Sequence, residues 1–299
     1  MLKNISDIAK YIGVSPLIIL GILKNAEKHY RTFTIRKRSG GIRTINAPRT
    51  YLKVIQWWIY DVILAEVENS PYAHGFVKGR SFIANATFHH GSRYVVNVDI
   101  KDFFPSVPLK AVIDQFLTLG YRSGVAEGLA RLATLGGALP QGAPTSPALA
   151  NMIFSATDGL LAEIANRHSA KYSRYADDLT FSSHTKIDRS LIGEVQECLA
   201  GLGMNLNEEK TRFMGPNMRL EITGLILGRD GVALSSEFLN SARGWFHTIE
   251  MNASAHLALK RKVEGTINLI RQVGGRGTPA LLAMGQRALA ALTHAKTAT

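Results

Sequence analysis

The chain has 299 residues, 46% of them hydrophobic, and sets 35 Lys and Arg against 23 Asp and Glu, for a formal charge of +12 and a pI near 9.9. That length supports one large or two to three small domains with their own cores, and that charge points to a polyanionic partner, nucleic acid ahead of a generic cationic surface. A single cysteine, Cys198, excludes an intramolecular disulfide and a cysteine zinc site, as fits a reducing cytoplasm; no signal-peptide pattern opens the sequence, and its most apolar stretch, PLIILGIL at 16–23, is too short for a bilayer.

The first 24 residues read as two short helices, the first capped at Ser6 or Asp7 and broken from the second at Gly13-Val14-Ser15-Pro16. The pair has the outline of a helix-turn-helix, so a DNA-binding regulator is one reading and a structural helix pair the other. YRTFTIRKRSGGIRTINAP then alternates as a basic β-hairpin turning at Ser39-Gly40-Gly41. Lys37, Arg38 and Arg43 fall near its tip, where cations reach a phosphate or simply solvate an edge. Helical spacing returns from Tyr51 to Val67, and residues 71–91 read as a loop entering a short helix at Ser81.

RYVVNVDIKDFFPSVP gives a buried strand from Tyr94 to Val98 with Asp99 at its mouth. A helical stretch is expected from Leu109 to about Leu135, then a Pro/Gly loop leading into a long apolar helix from about Ser146, with Pro147 in its first turn. YSRYADDLTF at 172–181 sets Asp177 and Asp178 side by side among strand formers, either as a polar hairpin turn or as a metal site. Leu191, Val195, Leu199 and Leu202 mark a helix stopped at Gly203, and MNLNEEKTRFM is a short strand or loop carrying Lys210. LEITGLILGRDGVAL reads as a hairpin turning at Arg229-Asp230-Gly231, and from Ser235 onward the pattern is helical.

This alternation implies a sheet backed by helices, with acidic sites at strand ends. Such a sheet can gather Asp99, Asp177 and Asp178, which would repel one another without a counterion. Two divalent cations about 3.5–4 Å apart remove that cost and activate an attacking oxygen while stabilising a leaving phosphate. Nucleotidyl transfer is the chemistry that needs such a site together with a basic surface.

NVDIKDFFPSV at 97–107, LPQGAPTSPALANM at 139–152 and YADD at 175–178 together resemble, in order and spacing, the core of a reverse transcriptase. The resemblance runs from about Tyr30 to Gly228, and within that family the chain is most similar to the bacterial retron type. NATFH, Asn85 to His89, resembles the Asn-Ala-x-x-His element of retron enzymes, and ITG at 222–224 their Val-Thr-Gly element, with Ile for Val. The implied fold is α+β, a right-hand polymerase with an antiparallel-sheet palm backed by helices. N-terminal helices and fingers would occupy 1–92, the palm 93–234 with a finger portion at about 108–140, and a helical thumb 235–299.

Carried over by residue, the resemblance implies that Asp99, Asp177 and Asp178, with the backbone carbonyl of Ile100, bind two Mg²⁺ ions. Asp102, Phe103 and Phe104 would line the incoming dNTP, with the Phe104 ring against the sugar C2′ so that the product is DNA. Gln141 would contact the nucleotide sugar and template, Lys37 and Arg43 the β- and γ-phosphates, and Lys210 the leaving pyrophosphate. The first strand of the ITGLIL hairpin would be the primer grip. RNA contacts are expected at Asn85, His89, Lys260, Arg261, Lys262 and Arg271; a helix cap and a core histidine are the plainer readings of the first two. Arg276 and Arg287 add to the basic character of the last helices.

The resemblance further implies a partner noncoding RNA, part of which is copied into short single-stranded DNA from a 2′-hydroxyl primer, leaving a branched RNA-DNA product. It implies a cytoplasmic bacterial enzyme of antiphage defence without a membrane partner, with a separately encoded effector and higher-order assembly as an option. A group II intron enzyme would need maturase and endonuclease extensions. Another defence-associated reverse transcriptase and a non-catalytic regulator that binds nucleic acid remain as alternatives.

Overall fold

The computed structural model describes residue 2 and residues 4–36, 40–275 and 277–297. Two compact units emerge, Met1–Ser81 with Val96–Phe213, and Phe82–Val95 with Met214–Thr299.

In the first unit, α1 (Asp7–Ile12) is capped by Asn4 and not by Ser6 or Asp7. Asn4 Oδ1 accepts from the Asp7 amide while Asp7 Oδ2 accepts from the Asn4 amide, both at 3.1 Å, a reciprocal cap that satisfies two otherwise orphaned donors. Helix α2 (Pro16–Lys24) begins as expected, with Ser15 Oγ accepting from the Leu17 amide. Strands β1 (Tyr30–Arg36) and β2 (Ile42–Pro48) form the antiparallel hairpin, with Ile35 opposite Arg43; Lys37, Arg38 and Ser39 at its turn lie outside the described residues. Helix α3 (Thr50–Ile59) follows and closes in a π turn, Tyr60–Leu64.

Helix α4 (Phe82–Phe88) belongs to the second unit, and β3 (Tyr94–Ile100) runs back into the first. The single helical stretch expected after residue 109 is two helices, α5 (Leu109–Thr118) and α6 (Ser123–Ala133). The Leu119 and Tyr121 amides donate to the Gln115 and Phe116 carbonyls at 3.1 Å and close α5 before the apolar periodicity ends. Helix α7 (Ser146–Arg167) has the length and hydropathy of a membrane span, but 61% of its most apolar window is buried, which makes it a core helix. It packs behind β4 (Lys171–Tyr175) and against α8 (Ser190–Ala200). With β5 (Asp178–Ser183) and β6 (Leu206–Met214) the sheet order is β4-β5-β3-β6. The run Val95-Val96 and Val98 to Ile100 in β3 is buried because the strand has sheet neighbours on both edges and covered faces. Phe154 and Phe181 are fully buried, each stabilising this unit by about 1.5–3 kcal/mol.

In the second unit, three short strands, β7 (Glu221–Ile222), β8 (Leu225–Gly228) and β9 (Gly231–Ala233), form an antiparallel meander. The turn at 229–230 is where the sequence predicts it, and a second tight turn falls at Thr223-Gly224, where Thr223 and Gly224 take φ of 48° and 81°. Helices α9 (Ser236–Met251), α10 (Lys260–Val273) and α11 (Thr278–Thr297) then enclose Phe246, Ile249, Val263, Ile267, Ile270 and Leu292. The predicted mixed fold, with an antiparallel component and a helical C-terminal region, is therefore observed.

Candidate active site

Strands β4 and β5 are joined by Ala176 and Asp177 alone, with Tyr175 paired to Asp178. Such short connections need a positive φ to match the strand twist, and Ala176 takes it at 59°, a conformation that is strained for a residue with a Cβ. Neighbouring groups hold it there. Arg174 Nη1 donates to the Ala176 carbonyl at 3.2 Å, and the Ile100 amide donates to the Asp177 carbonyl at 2.9 Å. From the other side Gly75 approaches so closely that a Cβ there would lie 2.4 Å from the Ala176 nitrogen.

Arg174 is fully buried, and its partners explain how an arginine can sit in a core. Its Nε and Nη2 donate to the two oxygens of Asp158 at 2.9 and 2.8 Å, and Nη1 donates to Asn151 Oδ1 at 2.8 Å. Tyr172 donates its hydroxyl to Asp158, and the guanidinium lies 4.6 Å from the Phe154 ring centroid. Asn151 Nδ2 in turn donates to the Gly75 carbonyl. The segment 72–75 is stitched to β4 by the Arg174 amide donating to Tyr72 and the His74 amide donating to Arg174. None of Arg174, Asp158, Asn151 or Gly75 is a predicted site residue. Asn151 and Asp158, polar residues on a helix rich in apolar ones, are the available signal, since a buried polar group requires a partner.

The Ile100 to Asp177 hydrogen bond fastens this turn to the end of β3, where Asp99 is 7% exposed. Lys210, reaching over from β6, donates from Nζ to Asp99 Oδ1 at 2.7 Å. Burial raises the Asp177 carboxyl above its ordinary range; its own backbone amide opposes this, Asp99 adds to the rise, and Lys210 and Arg43 counter it. Asp178 keeps access to water, yet partial burial pushes its carboxyl up to about 7, with Asp177 and Asp99 adding like-charge repulsion and Lys210 opposing them. Among the described residues no set of three or more acidic, histidine or cysteine side chains stands as a ready-made cage. The donor chemistry nevertheless fits a hard divalent cation, because three mutually repelling carboxylates gather here, with Lys210 paired to Asp99 and Arg43 also opposing their charge among the described residues.

Around this centre, Phe103 is buried against Phe154 at 5.7 Å, and half-buried Phe104 meets Phe103 at 5.4 Å and Phe76 at 6.2 Å between centroids. Asp102 is exposed at φ 48°. The Gln141 carbonyl accepts from the Asn46 amide at 2.8 Å, docking its loop on β2. Gly142, at φ 123°, is required there, since a Cβ would come 3.0 Å from the Asn46 oxygen. The result is a cleft of about 490 Å³ whose lining includes Arg43, Asn46, Asp102, Pro105 and Gln141. Predicted nucleotide-binding residues Arg43, Asp102 and Gln141 thus share one cleft, while Lys37 lies outside the described residues.

The predicted RNA-binding residues belong to the second unit. Asn85 and His89 are both 0% exposed with partners inside the protein, so any influence on RNA passes through the surface above them. On α10, Arg261, Lys262 and Arg271 are exposed and Lys260 is half-buried. Lys262 Nζ sits 3.5 Å from the Trp245 ring centroid, and Arg271 donates to Asn268 Oδ1. Arg287 pairs with Glu250 at 3.2 Å, and Arg276 lies outside the described residues.

A protein-family profile described as reverse transcriptase (RNA-dependent DNA polymerase) matches residues 35–227. The retron Ec86 reverse transcriptase of Escherichia coli is 31% identical over 282 residues, which cover 92% of this chain and 86% of that protein. The retron Mx65 and Mx162 reverse transcriptases of Myxococcus xanthus are 36% and 37% identical, over 81% and 68% of this chain and 62% and 48% of their own lengths.

Proposed function

The chain belongs to the reverse transcriptase family, in its retron type, and on that premise we propose that it copies part of a cognate structured noncoding RNA into short single-stranded DNA by two-metal nucleotidyl transfer. It is an RNA-directed DNA polymerase. The observation that carries the finer reading is the 2.9 Å bond from the Ile100 amide to the Asp177 carbonyl, which fastens the Tyr175–Asp178 turn to the strand that bears Asp99.

Asp99, Asp177 and Asp178, with the Ile100 carbonyl, would hold two Mg²⁺ ions, which when bound activate the attacking hydroxyl and stabilise the leaving pyrophosphate. Lys210 holds Asp99 in place through its 2.7 Å contact and offers an ammonium to the pyrophosphate charge as it develops. Arg43, with Lys37, binds the β- and γ-phosphates of the dNTP, and Asp102 and Phe103 shape the backbone beneath them. Gln141 orients the nucleotide sugar against the template from a loop fixed to β2. The Phe104 ring fills the space a 2′-hydroxyl would need, which selects dNTPs.

In this reading residues 1–92 hold the N-terminal helices and fingers, 93–234 the palm with a finger portion at about 108–140, and 235–299 the helical thumb, with β7 as part of the primer grip and α10 following the phosphate backbone of RNA. The primer is a 2′-hydroxyl of the partner RNA, the product is a branched RNA-DNA molecule, and the setting is the cytoplasm of a bacterium defending itself against phage with a separately encoded effector. Assembly with that effector or with further copies belongs to the same proposal. Purification from the native host followed by sequencing of bound nucleic acid tests it. DNA that stays joined to one RNA species through denaturation, and keeps a ribonucleotide stub after RNase digestion, is expected; free DNA without an RNA partner would refute the priming and partner claims.

A further inference from the structure

Phe76 is half exposed, at 53%, and it holds a backbone φ of 60°, a region that a bulky aromatic residue rarely enters. Such a conformation persists only where the surroundings enforce it, and an enforced outlier beside a reactive centre points to function. Gly75 is clamped: its carbonyl accepts from Asn151 Nδ2 at 3.0 Å, and its Cα stands against the Ala176 backbone. The clamp that supports the Ala176-Asp177 turn therefore also fixes where the next residue begins. Phe76 is left with its ring 6.2 Å from Phe104 at an interplanar angle of 53°, within the range of attractive tilted pairs.

Behind Phe104 the rings continue into the core. Phe103 contacts Phe104 at 5.4 Å and Phe154 at 5.7 Å, and the Arg174 guanidinium lies 5.9 Å and 4.6 Å from the Phe103 and Phe154 centroids. One side of Phe104 thus leans on a packed aromatic column that is anchored by a buried ion pair. Another ring neighbour, Phe76, is half in water and follows directly on the clamped Gly75 backbone. With 53% of its surface exposed, Phe76 is not a core residue.

We propose that Phe76 is a positioning residue for sugar selection, a wall that restricts the Phe104 ring and thereby sets how strongly the enzyme rejects ribonucleotides. This rests on the reading of Phe104 as the ring that meets the sugar C2′. A 2′-hydroxyl is accommodated only when that ring swings away, and Phe76 occupies one direction of the swing. Loss of the Phe76 ring frees the motion, so ribonucleotide incorporation rises relative to deoxyribonucleotide incorporation while both share the same metals, phosphate contacts and template.

The test is the ratio of kcat/KM for a dNTP to that for the matching rNTP, measured with the full chain and Mg²⁺ on a DNA primer annealed to an RNA template. Phe76→Gly removes the ring and adopts a positive φ without strain, so it retains the fold; Phe76→Tyr keeps the ring. Expected are a fall in the ratio of about 3- to 10-fold for Phe76→Gly, the scale of one aromatic pair, a ratio unchanged from wild type for Phe76→Tyr, and no further fall when Phe76→Gly is added to Phe104→Ala. A general loss of structure would slow both substrates together and leave the ratio in place. If Phe104→Ala lowers the ratio but Phe76→Gly does not, or if the two effects simply multiply, the positioning role is wrong and the Phe104 reading stands. If Phe104→Ala leaves the ratio untouched, both fall.

Discussion

Gly75 and Ala176 meet backbone to backbone, so closely that a single methyl carbon at position 75 would lie 2.4 Å from the Ala176 nitrogen and 3.0 Å from the Tyr175 carbonyl carbon. No side-chain rotation can relieve that contact, and the turn carrying Asp177 and Asp178 must move if the glycine is replaced.

Gly75→Ala is therefore expected to lower DNA synthesis by about 10- to 100-fold, the cost of misplacing reacting groups by a fraction of an ångström to an ångström. Single-nucleotide extension assays read the loss, and far-UV circular dichroism should show retained secondary structure. Wild-type turnover in this variant would mean that segment 72–75 does not fix the turn.

Asp177→Asn keeps the shape of the turn but removes one of three neighbouring negative charges. Polymerisation should drop by about a thousandfold or more, as for removal of a central electrostatic group, while binding of RNA persists. Thermal stability should hold or rise, because Asp177 is one of the charges that push Asp178 upward. DNA synthesis with normal Mg²⁺ dependence in this variant would sink the two-metal assignment.

The buried Arg174–Asp158 pair makes a stability prediction. Arg174→Met leaves Asp158 buried without its cation, still accepting from Tyr172 alone of the two donors described, a loss of about 3–5 kcal/mol that urea unfolding would detect. Replacing both partners with apolar residues, Arg174→Met with Asp158→Leu, should recover much of it, since an uncompensated charge costs more than an absent pair. Equal instability of the single and double variants would contradict this account.

Glu237 offers a pH test in the second unit. Both of its oxygens accept from Arg219 Nη1 at 2.8 Å, and that contact, helped by its own backbone amide and Ser235, lowers the carboxyl to about 2. A depressed carboxylate stabilises the fold above its unfolded value near 4.5 and loses that contribution as pH falls towards 2. The stability difference between wild type and Glu237→Gln should accordingly be small, shrink over that window and weaken with added salt, because the pair faces solvent. A difference that grows on acidification would reverse the sign.

On α10 the exposed cations should separate into two kinds. Arg261→Ala and Arg271→Ala are expected each to weaken RNA binding and to reduce the slope of log affinity against log salt by about one. Lys262→Ala should change the slope less, because its ammonium already rests on Trp245. Filter binding across a salt series distinguishes them, and identical slopes for all three would remove the distinction.

Much of the local structure was legible because it depends on near neighbours. The alternation of β1, the Val-rich buried run of β3 and the turns at 176–177 and 229–230 follow from local patterning and turn chemistry. Over residues 109–135 the apolar spacing continues past Leu119 and predicts one helix, whereas the break is made by backbone capping that spacing does not encode. Asn85 and His89 were visible as a motif, but that both are withdrawn from solvent is a matter of packing.

The order and chemistry of the acidic and Gln141 motifs, the charge of +12 and the family resemblance were determined by the sequence alone. The support beneath them was decided by the fold. Gly75, Asn151, Asp158 and Arg174 come from three separate stretches, and a buried guanidinium becomes tolerable only when all its donors find acceptors at once. Phe76 likewise reads as loop in the sequence, and its nearness to Phe104 exists only in the fold, where the preceding Gly75 backbone stands against Ala176. Types and spacings of reacting groups are written locally along the chain, but the strained turn that presents them is held by contacts between distant residues, and those form only on folding.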